Sequence, residues 1–339
     1  MEIDYGFTPL NGDARRQYVN SREVFEAVTA AEMQERDYEG TMRWRTISGS
    51  DYLIRVSRRG AHRSLGLRSP ETEAIYTTFF AKKSTITERL EGLRKKLELN
   101  TRLNRAQFLD RVDSTVVGVL NCLRDAGLQD NTLVIGTNSL YAYEAAAGVR
   151  IEREHLATED LDILWDNRKR LTLATREKLQ PSGLLGLLKR VDKSFELKAT
   201  PDLYTAVNRN GYQVDLLRRA GPGSETEPAR LSEHADDFWA VRARNVDWML
   251  GAPKFASVIV GDDGKMAKMT TIDPRAFVLF KMWMSVQTDR DPIKKHRDKN
   301  QARLVIRLIE EYLPHLGFDE LVSFPADLRE AVSAFAQVW

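Results

Sequence analysis

Three aspartates of this chain stand inside apolar, strand-like segments, and this placement constrains the fold more than any other feature. Asp160 and Asp162 belong to the segment TEDLDILWD, and Asp215 belongs to GYQVDLLRR. Because side chains alternate along a strand, Asp160 and Asp162 project from the same face. An ionised carboxylate among apolar residues is costly unless a cation or hydrogen-bond donors compensate it. The pattern therefore predicts neighbouring strands that bring the three carboxylates together.

Such a set of carboxylates is suited to hard divalent cations. Oxygen ligands favour Mg²⁺ or Mn²⁺ over zinc. In two-metal phosphoryl chemistry, carboxylates hold two metals about 3.5–4 Å apart, and a third carboxylate can help to activate the attacking group. We therefore predict that Asp160, Asp162 and Asp215 are catalytic and metal-ligating residues. An isolated D-x-D has little weight, because 49 acids in 339 residues produce about seven acid-x-acid triplets by chance.

A turn of small residues lies upstream, between the apolar segment NTLVI and a helical segment. Gly136 allows a close approach to the backbone. Thr137, Asn138 and Ser139, together with the N-terminus of the following helix, can donate hydrogen bonds to phosphate oxygens. We interpret these four residues as a phosphate site beside the metal-binding acids. The alternative is a set of solvated strand ends with ordinary surface acids.

The overall charge and the cysteine content exclude several classes of protein. Lys and Arg number 51 and Asp and Glu number 49, so the net charge of +2 excludes a globally basic binder and an acidic disordered chain. The single cysteine excludes an intramolecular disulfide framework and a multi-cysteine zinc site. No apolar run reaches the roughly 18 residues of a membrane helix. We expect a cytoplasmic protein without a membrane partner.

The order of predicted elements indicates an α/β (α+β) fold in three parts. These are an N-terminal helical region with a basic β-hairpin (1–128), a small mixed-sheet core (129–272) and a C-terminal helical bundle (273–339). In the first part we expect a helix capped by Ser21, a hairpin turning at residues 48–50, a helix capped by Ser69, and a helix from near Arg105 to Ala126. In the other two we expect hairpins turning at residues 208–211 and 262–264, and helices that start at Pro274 and Pro292.

The basic hairpin is a candidate nucleic-acid surface. Residues 42–68 contain seven arginines and one acid, interleaved with Trp44 and Tyr52. Arginines contact phosphates, and aromatic rings stack on bases. RNA is therefore a possible partner of the segment Arg43–Arg68. The alternative is a solvated hairpin face, or arginines that pair with acids of the core.

The motifs GT-x-x-L-Y-A-Y-E-A-x-A-G-V and A-T-x-D-L-D-I-L-W-D resemble the nucleotidyltransferase superfamily, whose fold is like that of DNA polymerase β. Within it, the chain resembles a bacterial group catalogued as nucleotidyltransferase family 8, from about residue 42 to 313. The resemblance implies that Gly136 and Thr137 match the Gly-Ser element of the family. It implies that Asp160 and Asp162 are the metal ligands and Asp215 the third carboxylate. Residues 148–158 are interpreted as an insertion.

The resemblance also implies a function. It is the metal-dependent transfer of a nucleoside monophosphate from a nucleoside triphosphate to an acceptor hydroxyl, with Mg²⁺ or Mn²⁺ as the cofactor. Lys281 and Asp298 are the positional candidates for a helix lysine and a later acid that reach the nucleotide, although a lysine in an apolar helix can instead extend to the surface. The acceptor is an RNA end, a protein or a small molecule.

Two alternatives remain at this stage. One is an inactive nucleotidyltransferase scaffold that binds nucleic acid or a partner. The other is the toxin of a toxin–antitoxin pair, which modifies tRNA or a host protein and binds an antitoxin.

Overall fold

The computed structural model describes residues 6–169, 171, 175, 179, 182–198, 203–219, 229–234, 237–318 and 321–337. Helices and strands are interleaved, which confirms the predicted α+β class. The strands are β1 (Phe7–Pro9), β2 (Thr41–Ile47), β3 (Ser50–Val56), β4 (His62–Leu67), β5 (Thr132–Ile135), β6 (Val149–Ile151), β7 (Asp160–Trp165), β8 (Glu196–Leu197), β9 (Thr205–Val207), β10 (Gln213–Arg218), β11 (Ala229–Arg230), β12 (Trp239–Arg242), β13 (Lys254–Val260) and β14 (Met266–Ile272). The helices are α1 (Gly12–Asp37), α2 (Pro70–Ala106), α3 (Ser114–Ala126), α4 (Ser139–Ala147), α5 (Arg153–Leu156), α6 (Gly183–Val191), α7 (Val246–Gly251), α8 (Pro274–Ser285), α9 (Pro292–Tyr312), α10 (Ala326–Glu330) and α11 (Val332–Gln337).

The chain divides into two compact units. The larger unit consists of Met1–Arg15 and Leu109–Trp339, and the smaller unit consists of Arg16–Phe108. The three-part division at residues 128 and 272 stays a prediction. None of the helices in the described ranges combines the length and the apolarity that a membrane span needs.

The smaller unit contains a three-stranded antiparallel sheet in the order β2-β3-β4 and the long helix α2. One face of the sheet packs on α2 through Met42, Leu53 and Phe79. The Ser69 cap is confirmed, because its hydroxyl accepts a hydrogen bond from the backbone N–H of Thr72, and the Thr72 hydroxyl accepts one in return from the Ser69 N–H. The predicted hairpin is present, but it has β4 as a third strand that the sequence analysis did not identify.

Two helix starts were predicted wrongly. Helix α1 begins at Gly12, so Ser21 is not an N-cap: it is buried inside the helix, where its hydroxyl donates to the Tyr18 carbonyl. Helix α3 begins at Ser114 rather than near Arg105, because Arg105 lies in the last turn of α2 and the Asp113 carboxylate caps α3. Helix α3 ends as expected at Gly127, which has a φ of +81°.

The larger unit is built on a mixed sheet in the order β11-β12-β10-β7-β5-β14-β13. Strand β7 is parallel to β10 and antiparallel to β5. The predicted hairpins β9–β10 and β13–β14 are present, and α8 and α9 begin at Pro274 and Pro292, with Asp273 and Asp291 as N-caps. Alternate residues of β7 and β10, such as Leu161 and Val214, are fully buried in the core. The intervening residues of these two strands face the candidate site.

Candidate active site

The register of β7 and β10 places the three predicted aspartates on one face of the sheet. Asp215 lies directly opposite Asp162 in the parallel pair, and Asp160 lies opposite Gln213. Residues opposite each other in a ladder share a face, as do residues two apart in one strand. All three carboxylates line a single cavity of about 460 Å³. The structure therefore brings together acids that are up to 55 positions apart in the chain.

Hydrogen bonds orient two of the carboxylates, and the third is left without a donor among the described residues. The hydroxyl of Thr158 donates to Asp160 Oδ1, and that of Thr205 donates to Asp215 Oδ1 at 2.6 Å. Burial, together with the negative charges of Asp160 and Asp215, raises the pKa of Asp162 to about 7, and the positive charges of Lys281 and Arg297 oppose that shift. The centre of the cluster therefore carries negative charge that the side chains around it do not compensate.

This chemistry fits a hard divalent cation, because the donors are carboxylate oxygens on adjacent strands and their repulsion is uncompensated. In the described part of the chain, the three aspartates do not bring one oxygen each within 4.8 Å of the other two. A different set meets that distance, namely Glu152, Glu154 and His155 around the short helix α5, and its two glutamates are exposed to solvent. Exposed acidic groups of this kind are common on protein surfaces, so we assign no role to that set.

The predicted phosphate turn is present between β5 and α4, but only its first half reaches the cavity. Gly136 has a φ of +71°, and a Cβ atom there would clash with Asp162 Oδ2, so this position requires glycine. Gly136 and Thr137 line the cavity. The side chain of Asn138 donates to the Asp160 carbonyl at 2.6 Å, and the Ser139 hydroxyl is fully buried and receives a hydrogen bond from Thr271. Asn138 and Ser139 therefore use their side chains to hold the turn rather than to face the cavity.

Basic side chains of α8 and α9 form the wall opposite the aspartates. Lys281 Nζ donates to Asp298 Oδ1 at 2.6 Å, and Arg290 Nε donates to Asp298 Oδ2 at 2.9 Å. Asp298 is fully buried, and each of its two oxygens accepts a hydrogen bond from one of these cations. It therefore holds both cations at the cavity. Burial lowers the pKa of Lys281, and the neighbouring Asp298 opposes that shift.

Arg297 is a cation of this wall that lacks a counterion in the described part of the chain. Its Nε is buried without a hydrogen-bond partner among the described residues, and its guanidinium makes no ion pair with them. Its charge lowers the pKa of Asp162, which places it in the field of the aspartate cluster. The sequence alone does not distinguish Arg297 from the other charges of this basic helix. The structure does, because the buried Arg297 Nε has no hydrogen-bond partner among the residues described.

The comparisons with known proteins identify the family. A family model described as Nucleotidyltransferase matches residues 114–324, which is more than half of the chain. The chain belongs to this nucleotidyltransferase family. The family assignment made from the sequence motifs is therefore confirmed, although the match begins at residue 114 rather than near residue 42. No curated protein and no solved structure matches the chain.

Gln301 contacts the cavity residue Thr137 of this nucleotidyltransferase, and it was not predicted from the sequence. It is fully buried on α9, where its Nε2 lies 3.3 Å from Thr137 Oγ1 and 2.8 Å from the His155 carbonyl oxygen. Because an amide N–H donates, the Thr137 oxygen accepts, and the Thr137 proton is directed elsewhere. Nothing in the sequence near Gln301 marks it, because its partners are 164 and 146 positions away.

Proposed function

We propose that this nucleotidyltransferase transfers a nucleoside monophosphate from a nucleoside triphosphate to an acceptor hydroxyl, with Mg²⁺ or Mn²⁺ held by Asp160, Asp162 and Asp215. One observation carries the proposal: three carboxylates, a Gly-Thr turn and a basic wall face one another across a single cavity. The cavity volume of about 460 Å³ is that of a small-molecule site. The family match supports nucleotidyl transfer in general.

Different residues of the cavity have different roles in such a transfer. In this proposal, Arg297 and Lys281 bind the phosphates, and the Thr137 hydroxyl donates to one of their oxygens. When bound, the divalent cation neutralises charge on the phosphates and on the departing pyrophosphate. Asp215 orients the acceptor hydroxyl and accepts its proton as the oxygen attacks the α-phosphorus. The bond between the α-phosphorus and the α–β bridging oxygen breaks, and pyrophosphate leaves. Most of the rate enhancement would come from positioning and from charge neutralisation.

The far end of the cavity suits the nucleobase. Side chains of α8 there are apolar or aromatic, and Leu217 extends the same face of β10 beyond Asp215. A base packs well against such side chains, while the sugar and phosphates lie toward the aspartates. The apolar lining includes Leu217, Met249, Phe277, Phe280, Trp283 and Met284.

A labelling experiment tests the proposal. The protein is incubated with each nucleoside triphosphate, radiolabelled in the α-phosphate, with Mg²⁺ or Mn²⁺ and with total RNA or a cell lysate. We expect a labelled acceptor and released pyrophosphate, and the label distinguishes an RNA acceptor from a protein or a small molecule. The Asp160→Ala/Asp162→Ala variant is expected to transfer no label above background.

The matched control is Glu159→Ala, which removes an exposed acid next to the aspartates. It is expected to label as well as the unaltered protein does. Label that persists in the double aspartate variant would overturn the assignment. The absence of transfer by the unaltered protein to every acceptor fraction, with every nucleotide and both metals, would favour the inactive-scaffold alternative instead.

The hydrogen bond of Gln301 leads to a separate prediction. In Gln301→Glu, the new carboxylate accepts a hydrogen bond from the Thr137 hydroxyl, so that hydroxyl no longer donates to a phosphate. The substitution also adds a negative charge near the phosphates. We expect the KM for the nucleoside triphosphate to rise about tenfold or more, with a smaller change in kcat. Gln301→Met is the control, because it frees the hydroxyl without reversing its hydrogen bond. Equal KM values for the two variants, measured by pyrophosphate release, would contradict this role.

A further inference from the structure

The outer face of the three-stranded sheet in the smaller unit carries positive charge and no carboxylate. This face is the one turned away from Met42 and Leu53, whose side chains pack toward α2. By the strand register, the residues on it include Thr41, Arg43, Arg45 and Ile47 of β2, Tyr52, Ile54 and Val56 of β3, and His62, Ser64 and Leu67 of β4. The acid of these strands, Asp51, lies opposite Thr46 on the other face of the sheet. Its Oδ1 accepts a hydrogen bond from the Thr46 hydroxyl at 2.6 Å.

The structure separates four arginines of this region into two pairs, which the sequence alone does not distinguish. Arg55 and Arg68 are already engaged. Arg55 donates to the backbone carbonyls of Asp37 and Glu39 and stacks on the Phe79 ring, and Arg68 pairs with Glu73 and Asp51. Arg43 and Arg45 are exposed and make no ion pair with any described residue. Arg43 instead reaches across β3 to His62, at 3.4 Å.

An aromatic side chain lies beside the free arginines. Tyr52 is opposite Arg45 on β2 and opposite Leu67 on β4, and Leu67 is 53% exposed. The other aromatic residue considered for base stacking, Trp44, is not available. Its ring packs against Tyr76 at 5.9 Å on the side of α2, and Arg68 covers it. The outer face therefore presents two guanidinium groups, a tyrosine and an apolar side chain on a short three-stranded sheet.

We propose that this outer face binds single-stranded RNA, with Arg43 and Arg45 on the phosphates and Tyr52 and Leu67 against the bases. Charge complementarity carries the proposal, because the free charges of the face are all positive. Phosphate contacts beside an aromatic platform are the recurring physical basis of single-strand binding. An acidic protein would satisfy the arginines but would make no use of the tyrosine. The inference goes beyond nucleotidyl transfer, and the binding needs neither a nucleotide nor a metal.

The test measures binding of the full-length protein to a fluorescent, mixed-sequence single-stranded RNA by anisotropy, at several salt concentrations and with a chelator present. We expect Arg43→Glu/Arg45→Glu to weaken binding about tenfold or more at roughly 0.1 M salt. We also expect the slope of the logarithm of the binding constant against the logarithm of the salt concentration to become less negative by about one to two, because fewer counterions are released. Tyr52→Ala is expected to weaken binding about fivefold or more. The far-ultraviolet circular dichroism of each variant shows whether it is folded.

Two controls make the result specific. Arg89→Glu/Lys96→Glu makes the same charge change at exposed positions of α2 and is expected to leave binding unchanged. Asp160→Ala/Asp162→Ala is expected to bind RNA like the unaltered protein, so a failure of the transfer proposal would not be mistaken for a failure of this one. The proposal is overturned if the folded Arg43/Arg45 variant binds as well as the unaltered protein. It is also overturned if polyglutamate displaces the RNA as effectively as unlabelled RNA does.

Discussion

Asp162→Asn is expected to stabilise the metal-free protein while it abolishes nucleotidyl transfer. The unaltered protein ionises Asp162 at a pKa of about 7, because the carboxylate is buried between Asp160 and Asp215. Asparagine has almost the same shape and carries no charge, so it removes the repulsion without leaving a cavity. Transfer is expected to fall by about a thousandfold or more, since the binding of a divalent cation requires the lost charge.

The pH dependence of this stabilisation has a definite sign. The unfolded chain releases the Asp162 proton near the ordinary pKa of 3.8, whereas the folded protein keeps it until about pH 7. The folded state therefore binds more protons in this window, and the stability of the unaltered protein falls relative to Asp162→Asn as the pH rises through it. The difference in the free energy of unfolding is expected to be near zero at about pH 4 and to level off above about pH 7, on the order of 2–4 kcal/mol.

Urea denaturation with a chelator present, across that pH range, measures the difference directly. Glu159→Gln is the control, because it makes the same change at an exposed neighbouring acid and is expected to shift stability little at any pH. An Asp162→Asn variant that is less stable than the unaltered protein at high pH would show that the carboxylate is compensated. In that case the crowded cluster on which the metal site depends would not exist.

The part of the site that was predictable from sequence lies on two strands and a turn. Alternation along β7 is a local rule, so Asp160 and Asp162 could be assigned to one face before the structure was known. The apolar neighbours of Asp215 marked it in the same way. The register that sets Asp215 opposite Asp162 is a tertiary property, and it agreed with the expectation because β7 and β10 are both buried on their other face.

The roles of the remaining residues could not be predicted from the sequence, because these roles depend on partners that are distant in the chain. Gln301 and Arg297 are ordinary residues of a polar helix in the sequence. The packing of α9 turns Gln301 toward Thr137 and leaves the buried Arg297 Nε without a hydrogen-bond partner among the described residues. Asn138 and Ser139 were predicted to face phosphates because small polar residues after a strand often do. In the structure, the Asn138 side chain instead donates to the Asp160 carbonyl, and the Ser139 hydroxyl accepts a hydrogen bond from Thr271. Sequence pattern identified the polar residues of the turn but not the direction of each side chain.

Asp298→Leu is expected to destabilise the protein strongly, and adding Lys281→Met is expected to restore its stability but not its activity. Asp298 is fully buried and holds both Lys281 and Arg290, and Lys281 is itself buried. Removing the carboxylate alone leaves the Lys281 ammonium buried without its counterion, which costs about 3–5 kcal/mol of unfolding free energy.

Removing both charges separates a structural role of this ion pair from a functional one. Replacing a buried pair with apolar residues of similar size is often neutral or stabilising. We therefore expect the free energy of unfolding of Lys281→Met/Asp298→Leu to lie within about 1 kcal/mol of that of the unaltered protein, or above it. Arg290 is half-buried and can turn toward water once Asp298 is lost. The double variant still lacks the Lys281 charge at the cavity, so its kcat/KM for the nucleoside triphosphate should remain about a hundredfold or more below that of the unaltered protein. Urea denaturation and pyrophosphate release measure the two quantities on the same samples. If the double variant regained activity together with stability, Lys281 and Asp298 would form a structural pair only, and the phosphates would be bound by Arg297 and the Gly136–Thr137 turn without them.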